Sequence, residues 1–166
     1  MSKNPFRPDE TKNTVYDIDY DELYLKGIDC LIFDLDNTLL PQDDMDVPVK
    51  VKSLFEALFA KGFDTMLVSN NGEGRIKPVA DILDTDYIAK AAKPLPGGVI
   101  RAMKTLETKP KNTVLVGDQL SDVMAGNLAG LYTIWVKPIS VNEHLGTKIK
   151  RGFERMVIML LNIRWD

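Results

Sequence analysis

Two aspartates and a threonine follow a short apolar stretch near the start of the chain. Residues 30–32 are apolar and run directly into Phe33-Asp34-Leu35-Asp36-Asn37-Thr38. A carboxylate is ionised at neutral pH, so it can attack phosphorus without a base to activate it. In extended chain, positions i and i+2 share a face, so Asp34 and Asp36 can reach one ligand. A bound divalent cation would relieve the repulsion between the two anions.

Three further polar segments carry residues suited to phosphate chemistry. They are Ser69-Asn70-Asn71-Gly72, Ala92-Lys93-Pro94 and Gly117-Asp118-Gln119-Leu120-Ser121-Asp122. The first and the third follow apolar runs that predict strands, and ligands of an open parallel sheet bind outside the carboxyl ends of its strands. Each segment alone is typical of a turn, a surface lysine or a loop. Their occurrence together in one chain favours a functional site.

The elements that position these residues alternate between strand and helix. Apolar runs predict strands over residues 28–34, 63–68, 87–89, 113–116 and 131–136. Helices are expected over residues 73–83, 97–107 and 121–129, and another begins at Pro48 and ends at Gly62. This alternation predicts an α/β protein with a Rossmann-like three-layer α/β/α fold, in which helices cover both faces of a central parallel sheet.

The two ends of the chain differ in charge from each other. Residues 1–24 carry three Lys/Arg against six Asp/Glu and predict an acidic arm that docks on a core of residues 25–146. Residues 147–166 carry five against two and predict a basic amphipathic helix from Lys148 to Trp165. Its apolar face comprises Ile149, Phe153, Met156, Val157, Leu160 and Leu161, and opposite it fall Lys148, Arg151, Arg155, Asn162 and Ile158. Such a helix can lie on an anionic bilayer or complete the core, and both alternatives stay open.

Composition excludes several classes of protein. The chain has 166 residues, 45% apolar and 27% charged, which is ordinary for one soluble globular domain. A single cysteine, Cys30, excludes an internal disulfide, and a single histidine, His144, leaves little for zinc sites or Ser-His-Asp catalysis. The net charge of −3 argues against nucleic-acid binding. Neither a transmembrane run nor a signal peptide is visible, so we expect a cytoplasmic protein, with peripheral contact at the inner membrane surface still open.

The four polar segments together resemble motifs I to IV of the haloacid dehalogenase (HAD) superfamily of Mg²⁺-dependent phosphatases. The stretches F-D-L-D-N-T-L, V-S-N-N, A-x-K-P and V-G-D-Q are similar to those of the small capless branch, subfamily IIIA, which includes phosphatidylglycerophosphate phosphatases. The resemblance runs from about Phe6 to the C-terminus. One difference concerns motif IV, where Asp122 follows Asp118 by four residues whereas members of the branch have five.

The resemblance implies catalytic roles for the two motif I aspartates. Asp34 would be the nucleophile that becomes an aspartyl phosphate. Asp36 would be the general acid that protonates the leaving oxygen and then the base that activates water, because the second step reverses the proton demand of the first. Mg²⁺ would be bound by the Asp34 carboxylate, the Asp36 carbonyl and Asp118.

The same resemblance implies a catalytic role for Lys93 and binding or supporting roles for four other residues. Lys93 and Ser69, with Asn70 beside it, would bind and neutralise the transferring phosphoryl group. Thr38 would hold the motif I turn and contact the phosphate. Asp122 would anchor Lys93 or a metal-bound water.

The spacing between motifs limits the substrate class. Only 30 residues separate Thr38 from Ser69 and 23 separate Ser69 from Lys93, which leaves no room for a cap domain. An uncapped site suits a substrate that covers it, such as a protein, a nucleic-acid end or a lipid headgroup. The basic tail favours a lipid headgroup, and the resemblance implies that the phosphorylated lipid is phosphatidylglycerophosphate. A soluble phosphatase of nucleotides or sugar phosphates is the alternative, and a receiver-like phosphoacceptor or a non-catalytic binding module is disfavoured.

Overall fold

The computed structural model of the chain describes residues 3–42, 44–140 and 145–165, without the side chains of 145–148. Six strands form one sheet: β1 (Glu10–Lys12), β2 (Cys30–Phe33), β3 (Asp64–Val68), β4 (Asp86–Ile88), β5 (Thr113–Gly117) and β6 (Tyr132–Val136). Their order across the sheet is β1-β6-β5-β2-β3-β4, and every neighbouring pair is parallel. The predicted parallel sheet is therefore confirmed.

Six α-helices are present in the described residues: α1 (Tyr20–Leu25), α2 (Val49–Lys61), α3 (Glu73–Leu83), α4 (Gly97–Thr105), α5 (Leu120–Leu128) and α6 (Leu145–Leu160). Two short 3-10 helices, Val15–Asp17 and Pro110–Asn112, accompany them. The predicted limits of α2 are nearly correct. Pro48 caps its start from the position before the helix, and Gly62 ends it in the left-handed conformation with φ at 96°. Only glycine adopts that conformation without steric cost, which is why the sequence signal was reliable.

Helices cover both faces of the sheet, as the alternating pattern predicts. In β2, Leu31 and Phe33 pack into a core formed with α1, α2 and α3, whereas Ile32 packs into a second core with α4 and α5. The strand is buried on both faces, which explains its unbroken apolar sequence. The three-layer α/β/α architecture is therefore confirmed.

The edge strand β1 was not predicted. Its sequence, Glu10-Thr11-Lys12, is polar and lacks the apolar pattern of a buried strand. It pairs with β6 because the preceding residues are already fastened there: the Asp9 carboxylate accepts a hydrogen bond from the Thr133 amide at 2.7 Å. The side-chain amide of Asn127 also donates hydrogen bonds to the backbone carbonyls of Asn4, Pro5 and Arg7. The N-terminal arm thus adds a strand to the sheet.

No cap domain is inserted in the part of the chain that the structure describes. Residues 34–42 and 44–48, between β2 and α2, contain no helix or named strand, and four residues separate β3 from α3. The 13 residues between α3 and α4 contain only the short strand β4 and loops. Among the described helices, none is long and apolar enough to cross a membrane.

The C-terminal helix is shorter than predicted. It ends at Leu160 rather than continuing to Trp165, because Asn162 adopts a left-handed conformation with φ at 48°. The Ile163 amide donates to the Ile158 carbonyl and the Asn162 amide donates to the Met159 carbonyl, which is the Schellman arrangement. The chain then turns back, so that the Trp165 ring lies 5.5 Å from the ring of Trp135.

The apolar face expected for this helix is divided between core and solvent. Val157 is buried, and Ile158 and Leu161 pack with it against α5 and Trp135. Ile158, which the periodicity places on the charged side, therefore contributes to the core. Four members of the predicted apolar face are instead exposed: Ile149, Phe153, Met156 and Leu160. We call these four side chains the α6 ridge.

Candidate active site

Three carboxylates meet in a buried cluster at the carboxyl ends of β2 and β5. They belong to Asp34, Asp118 and Asp122, and one oxygen from each lies within 4.8 Å of the others. The sheet register brings them together, because Phe33 lies opposite Val116 and the Asp34 amide donates to the Val116 carbonyl at 2.9 Å. The predicted convergence of motifs I and IV is therefore present in the structure.

Lys93 bridges two of these carboxylates. Its Nζ donates to Asp34 Oδ1 and to Asp122 Oδ1, both at 2.6 Å, and to the Val68 carbonyl at 2.9 Å. Burial alone would lower the pKa of Lys93, but the two carboxylates outweigh it and the net change is upward. The side chain therefore stays an ammonium ion beside Asp34.

The cluster carries more negative charge than Lys93 balances. Burial raises the pKa of Asp34 to about 6, with the ammonium of Lys93 acting in the opposite direction. Burial, followed by the charges of Asp34 and Asp122, raises the pKa of Asp118 well above its ordinary value. No ion pair to Asp118 is present among the described residues. An all-oxygen site with surplus negative charge fits a hard divalent cation such as Mg²⁺.

Thr38 contacts two carboxylates of this cluster, and Trp135 holds the backbone of one of its members. The Thr38 hydroxyl lies 3.0 Å from Asp118 Oδ1 and 3.3 Å from Asp34 Oδ2. The indole of Trp135 donates to the backbone carbonyl of Asp118 at 2.9 Å. Thr38 thus joins motif I to motif IV in the structure, whereas Trp135 was not singled out from the sequence because nothing local marks it.

Both carboxylate oxygens of Asp122 accept hydrogen bonds. Oδ1 accepts from Lys93, and Oδ2 accepts from the Gln119 amide at 3.0 Å. A Cβ at Gly117 would lie only 2.4 Å from Asp122, so this close approach requires glycine. The four-residue spacing after Asp118 therefore places Asp122 in the first turn of α5, where it holds Lys93.

Asp36 is not a member of the cluster of three carboxylates. Its Oδ1 lies 2.7 Å from an Arg75 guanidinium nitrogen, and its Oδ2 accepts from the Asn71 side-chain amide at 2.6 Å. The strand ends at Phe33 and the chain then turns. The backbone amides of residues 38–40 all donate hydrogen bonds to the Leu35 carbonyl. The rule that positions i and i+2 share a face therefore does not apply here. Arg75 belongs to no motif that the sequence analysis used.

Ser69 and Asn70 occupy different places in the site. Ser69 is buried at the end of β3, and its hydroxyl accepts from the Asn71 amide at 3.1 Å. The Asn70 side chain instead pairs with the backbone of Lys93, donating to its carbonyl at 2.9 Å and accepting from its amide at 2.8 Å. The Asn70 side chain thus orients the Lys93 segment, and the phosphate-binding role that the resemblance implies for Asn70 stays a prediction.

A cleft of about 630 Å³ opens beside Asp118, between the end of β6 and α6. We call it the β6–α6 cleft. Its wall includes four basic side chains, from Lys137, Lys150, Arg151 and Arg155. Trp135, Trp165 and Ile158 supply apolar surface, and Asn37 and Gln42 supply polar groups from the motif I loop. The basic character of the tail is visible in the sequence, but its position beside the site is not.

Sequence comparisons place these residues in a known family. Residues 43–130 match the model of the haloacid dehalogenase-like hydrolases, so motif I precedes the matched segment. A probable phosphatase, YqeG of Bacillus subtilis, is 33% identical over 171 aligned positions, which cover 100% of this chain and 99% of the relative. A phosphoglycolate phosphatase of Aquifex aeolicus is 36% identical over 47% of this chain and 41% of the relative.

Solved structures share the fold at low sequence identity. The cobalt-bound deoxy-D-mannose-octulosonate 8-phosphate phosphatase of Haemophilus influenzae has a TM-score of 0.56 at 14% identity, covering 81% of this chain and 90% of that one. The D,D-heptose 1,7-bisphosphate phosphatase of B. bronchiseptica, complexed with magnesium and phosphate, has a TM-score of 0.54 at 17% identity, covering 66% and 80%. The chain is a phosphatase that belongs to the haloacid dehalogenase-like hydrolase family.

Proposed function

We propose that this phosphatase hydrolyses phosphomonoesters through an aspartyl phosphate formed on Asp34. The observation that carries the proposal is the position of Asp34, buried between the ammonium of Lys93 and the second carboxylate, Asp118. The anionic form of Asp34 is the nucleophile, and the adjacent ammonium offsets the charge of an incoming phosphoryl group.

The chain's own residues account for both halves of the reaction. An Asp34 oxygen forms a bond to phosphorus while the ester P–O bond breaks, and Asp36 gives its proton to the leaving oxygen. Asp36 then takes a proton from water, whose oxygen attacks phosphorus and releases phosphate from Asp34. Lys93 and the Ser69 hydroxyl neutralise the phosphoryl oxygens, while Asp122 and Asn70 hold Lys93 in place.

A divalent cation, Mg²⁺, belongs to this proposal. The Asp34 and Asp118 carboxylates and the Asp36 backbone carbonyl would hold it. Its chemistry is to neutralise charge on the phosphoryl oxygens and to relieve the repulsion within the acid cluster. Support comes from the surplus charge of that cluster and from the two relatives that contain cobalt or magnesium.

For the substrate we propose phosphatidylglycerophosphate, met at a membrane surface. The motif resemblance supports this choice, as does the absence of a cap from the described residues. The α6 ridge gives a further reason, because Phe153 and Leu160 are 48% and 69% exposed beside the basic side chains of the same helix. Apolar side chains flanked by positive charge suit insertion into an anionic bilayer.

A soluble phosphorylated metabolite is the second candidate substrate. It is favoured by the names of two relatives, a phosphoglycolate phosphatase and a deoxy-D-mannose-octulosonate 8-phosphate phosphatase. Such small substrates need no bilayer contact, and the uncapped site is open to them.

A substrate panel tests the proposal. Release of phosphate is measured from phosphatidylglycerophosphate, sugar phosphates and nucleotides, with Mg²⁺ and with excess chelator. We expect activity to require the metal and to be abolished in Asp34→Asn, whose amide cannot form the acyl phosphate. Asp81→Asn, an exposed aspartate of α3, is the matched control and should retain full activity. Turnover by Asp34→Asn, or full activity in chelator, would contradict the mechanism, and preference for a soluble metabolite would favour the second substrate.

A further inference from the structure

We infer that the β6–α6 cleft binds a second anionic group, of the phosphate or phosphodiester class, on the leaving-group side of the substrate. This inference rests on the proposed function and adds to it a binding subsite with named residues. It concerns the group that is retained by the leaving alcohol, not the phosphoryl group that is transferred to Asp34.

Position is the first argument. Asp118 belongs both to the acid cluster and to the wall of the cleft, so the two sites share an edge. Asn37, from the motif I loop, lines the cleft as well. A substrate whose phosphoryl group lies against Asp34 can therefore extend its remaining part into the cleft. Its volume of about 630 Å³ is within the range of small-molecule sites, so it exceeds what one phosphoryl group fills.

Charge is the second argument. Four basic side chains line the cleft, and only two carboxylates, from Asp118 and Glu154, oppose them. Asp118 lies in the acid cluster, and Glu154 accepts a hydrogen bond from the Leu120 amide at 2.9 Å. No ion pair or hydrogen bond occupies the Arg155 guanidinium within the described ranges. One guanidinium group can donate two parallel hydrogen bonds to two oxygens of a phosphate. A phosphate-like anion is therefore the ligand that fits best.

The attachment of α6 is the third argument. The bond from the Leu120 amide to Glu154 ties the middle of α6 to the first turn of α5, the same turn that carries Asp122. Val157 and Ile158 pack beside this bond, one turn further along the helix. The basic side chains are thus carried by a helix that is fixed relative to the catalytic acids, as a specificity site requires.

Two substrate pairs isolate the second anion. Phosphatidylglycerophosphate is compared with phosphatidic acid in the same mixed micelles, and fructose 1,6-bisphosphate is compared with fructose 6-phosphate. Within each pair, only the first compound has a second anionic group beyond the monoester. The ratio of kcat/KM within a pair is insensitive to how tightly the protein binds the micelle, because both lipids are presented on the same surface.

The variants are Arg151→Gln and Arg155→Gln, with Arg101→Gln as the matched control on the exposed surface of α4. We expect the wild type to prefer the compound with two anions in at least one pair. Loss of a charged hydrogen-bond partner should lower that preference by about tenfold or more in a cleft variant, while the control should keep it. A preference in the lipid pair alone would show that the cleft binds the phosphodiester of a lipid headgroup. A preference in the soluble pair would show that it binds phosphate groups in general.

Absence of any preference in both pairs would overturn the inference, as would a preference that both cleft variants retain. Failure of the proposed function gives a different result, namely no turnover of any substrate. In that case the subsite is tested by measuring the affinity for fructose 1,6-bisphosphate by calorimetry. Weaker binding by Arg155→Gln than by Arg101→Gln would support the subsite, and equal binding would refute it.

Discussion

Arg75 forms an ion pair with Asp36, with 2.7 Å between guanidinium nitrogen and carboxylate oxygen. Both side chains are largely buried, 14% and 12% exposed respectively. The proposed general acid is therefore held by an arginine from α3 and not by the acid cluster of Asp34. The orientation of Asp36 therefore depends on Arg75, which lies outside the four motifs, together with Asn71 of the second motif.

The first prediction concerns this pair. Arg75→Lys keeps the charge but loses the planar fork, so Asp36 should be misoriented for proton transfer. We expect kcat to fall about 10- to 100-fold for an alkyl phosphate, whose leaving group needs the proton. The loss should be smaller for p-nitrophenyl phosphate, whose leaving group does not, and the pH–rate profile should change shape. Equal losses on both substrates with an unchanged profile would mean that Arg75 is only structural.

The second prediction separates the two acids of motif IV. Asp118 lacks an ion-pair partner in the described residues, whereas both oxygens of Asp122 accept hydrogen bonds. Asp118→Ala should therefore raise the Mg²⁺ concentration for half-maximal activity far more than Asp122→Ala does. Asp122→Ala should mainly lower kcat, because Lys93 loses one of its anchors. Titration of activity with Mg²⁺ measures both, and the reverse ranking would show that Asp122 is the metal ligand.

The third prediction concerns the stability of the metal-free protein. Burial raises the pKa of Asp34 to about 6, above its ordinary value of 3.8. The folded state then binds more protons than the unfolded state, so this group's contribution to stability is lost as pH rises through about 6. In chelator, the melting temperature should be higher at pH 5.5 than at pH 7.5, by about 2–4 °C for each kcal/mol gained.

Two further measurements tie that effect to the acid cluster. Asp34→Asn, which cannot ionise, should raise the metal-free melting temperature at pH 7.5 and reduce its dependence on pH. Mg²⁺ should stabilise the wild type at pH 7.5 and less at pH 5.5, where protons compete for the carboxylates. A wild type that is more stable at pH 7.5 than at pH 5.5 in chelator, with Asp34→Asn unchanged, would disprove this account.

The fourth prediction tests membrane contact by the α6 ridge. The double variant Phe153→Ser/Leu160→Ser should bind anionic vesicles at least several-fold more weakly in co-sedimentation, because it loses exposed apolar side chains. Its melting temperature should change little, since both side chains are exposed. Phe59→Ser, on the 80% exposed phenylalanine of α2, is the control and should sediment like the wild type. Equal sedimentation of all three proteins would exclude the ridge from membrane binding.

Several features were predictable from the sequence because local chemistry determines them. Apolar runs such as residues 30–33 form strands wherever both faces of a sheet are covered, and Gly62 ends a helix because of its own backbone freedom. Parallel strands align their carboxyl ends, so the order of the motifs was enough to bring Asp34 and Asp118 together. The family resemblance of the motifs rests on the same local segments.

Other features depend on contacts between residues far apart in the chain, and only the tertiary structure decided them. β1 is a strand because β6 offers it an edge, and Arg75 reaches Asp36 across 39 positions of sequence. Periodicity describes a helix by itself, but which face of α6 is buried depends on the Leu120 amide and Trp135, to which α6 is fastened. The pattern of side-chain types indicates which residues prefer water and which prefer the core. It does not indicate which residue, far away in the chain, each side chain will contact.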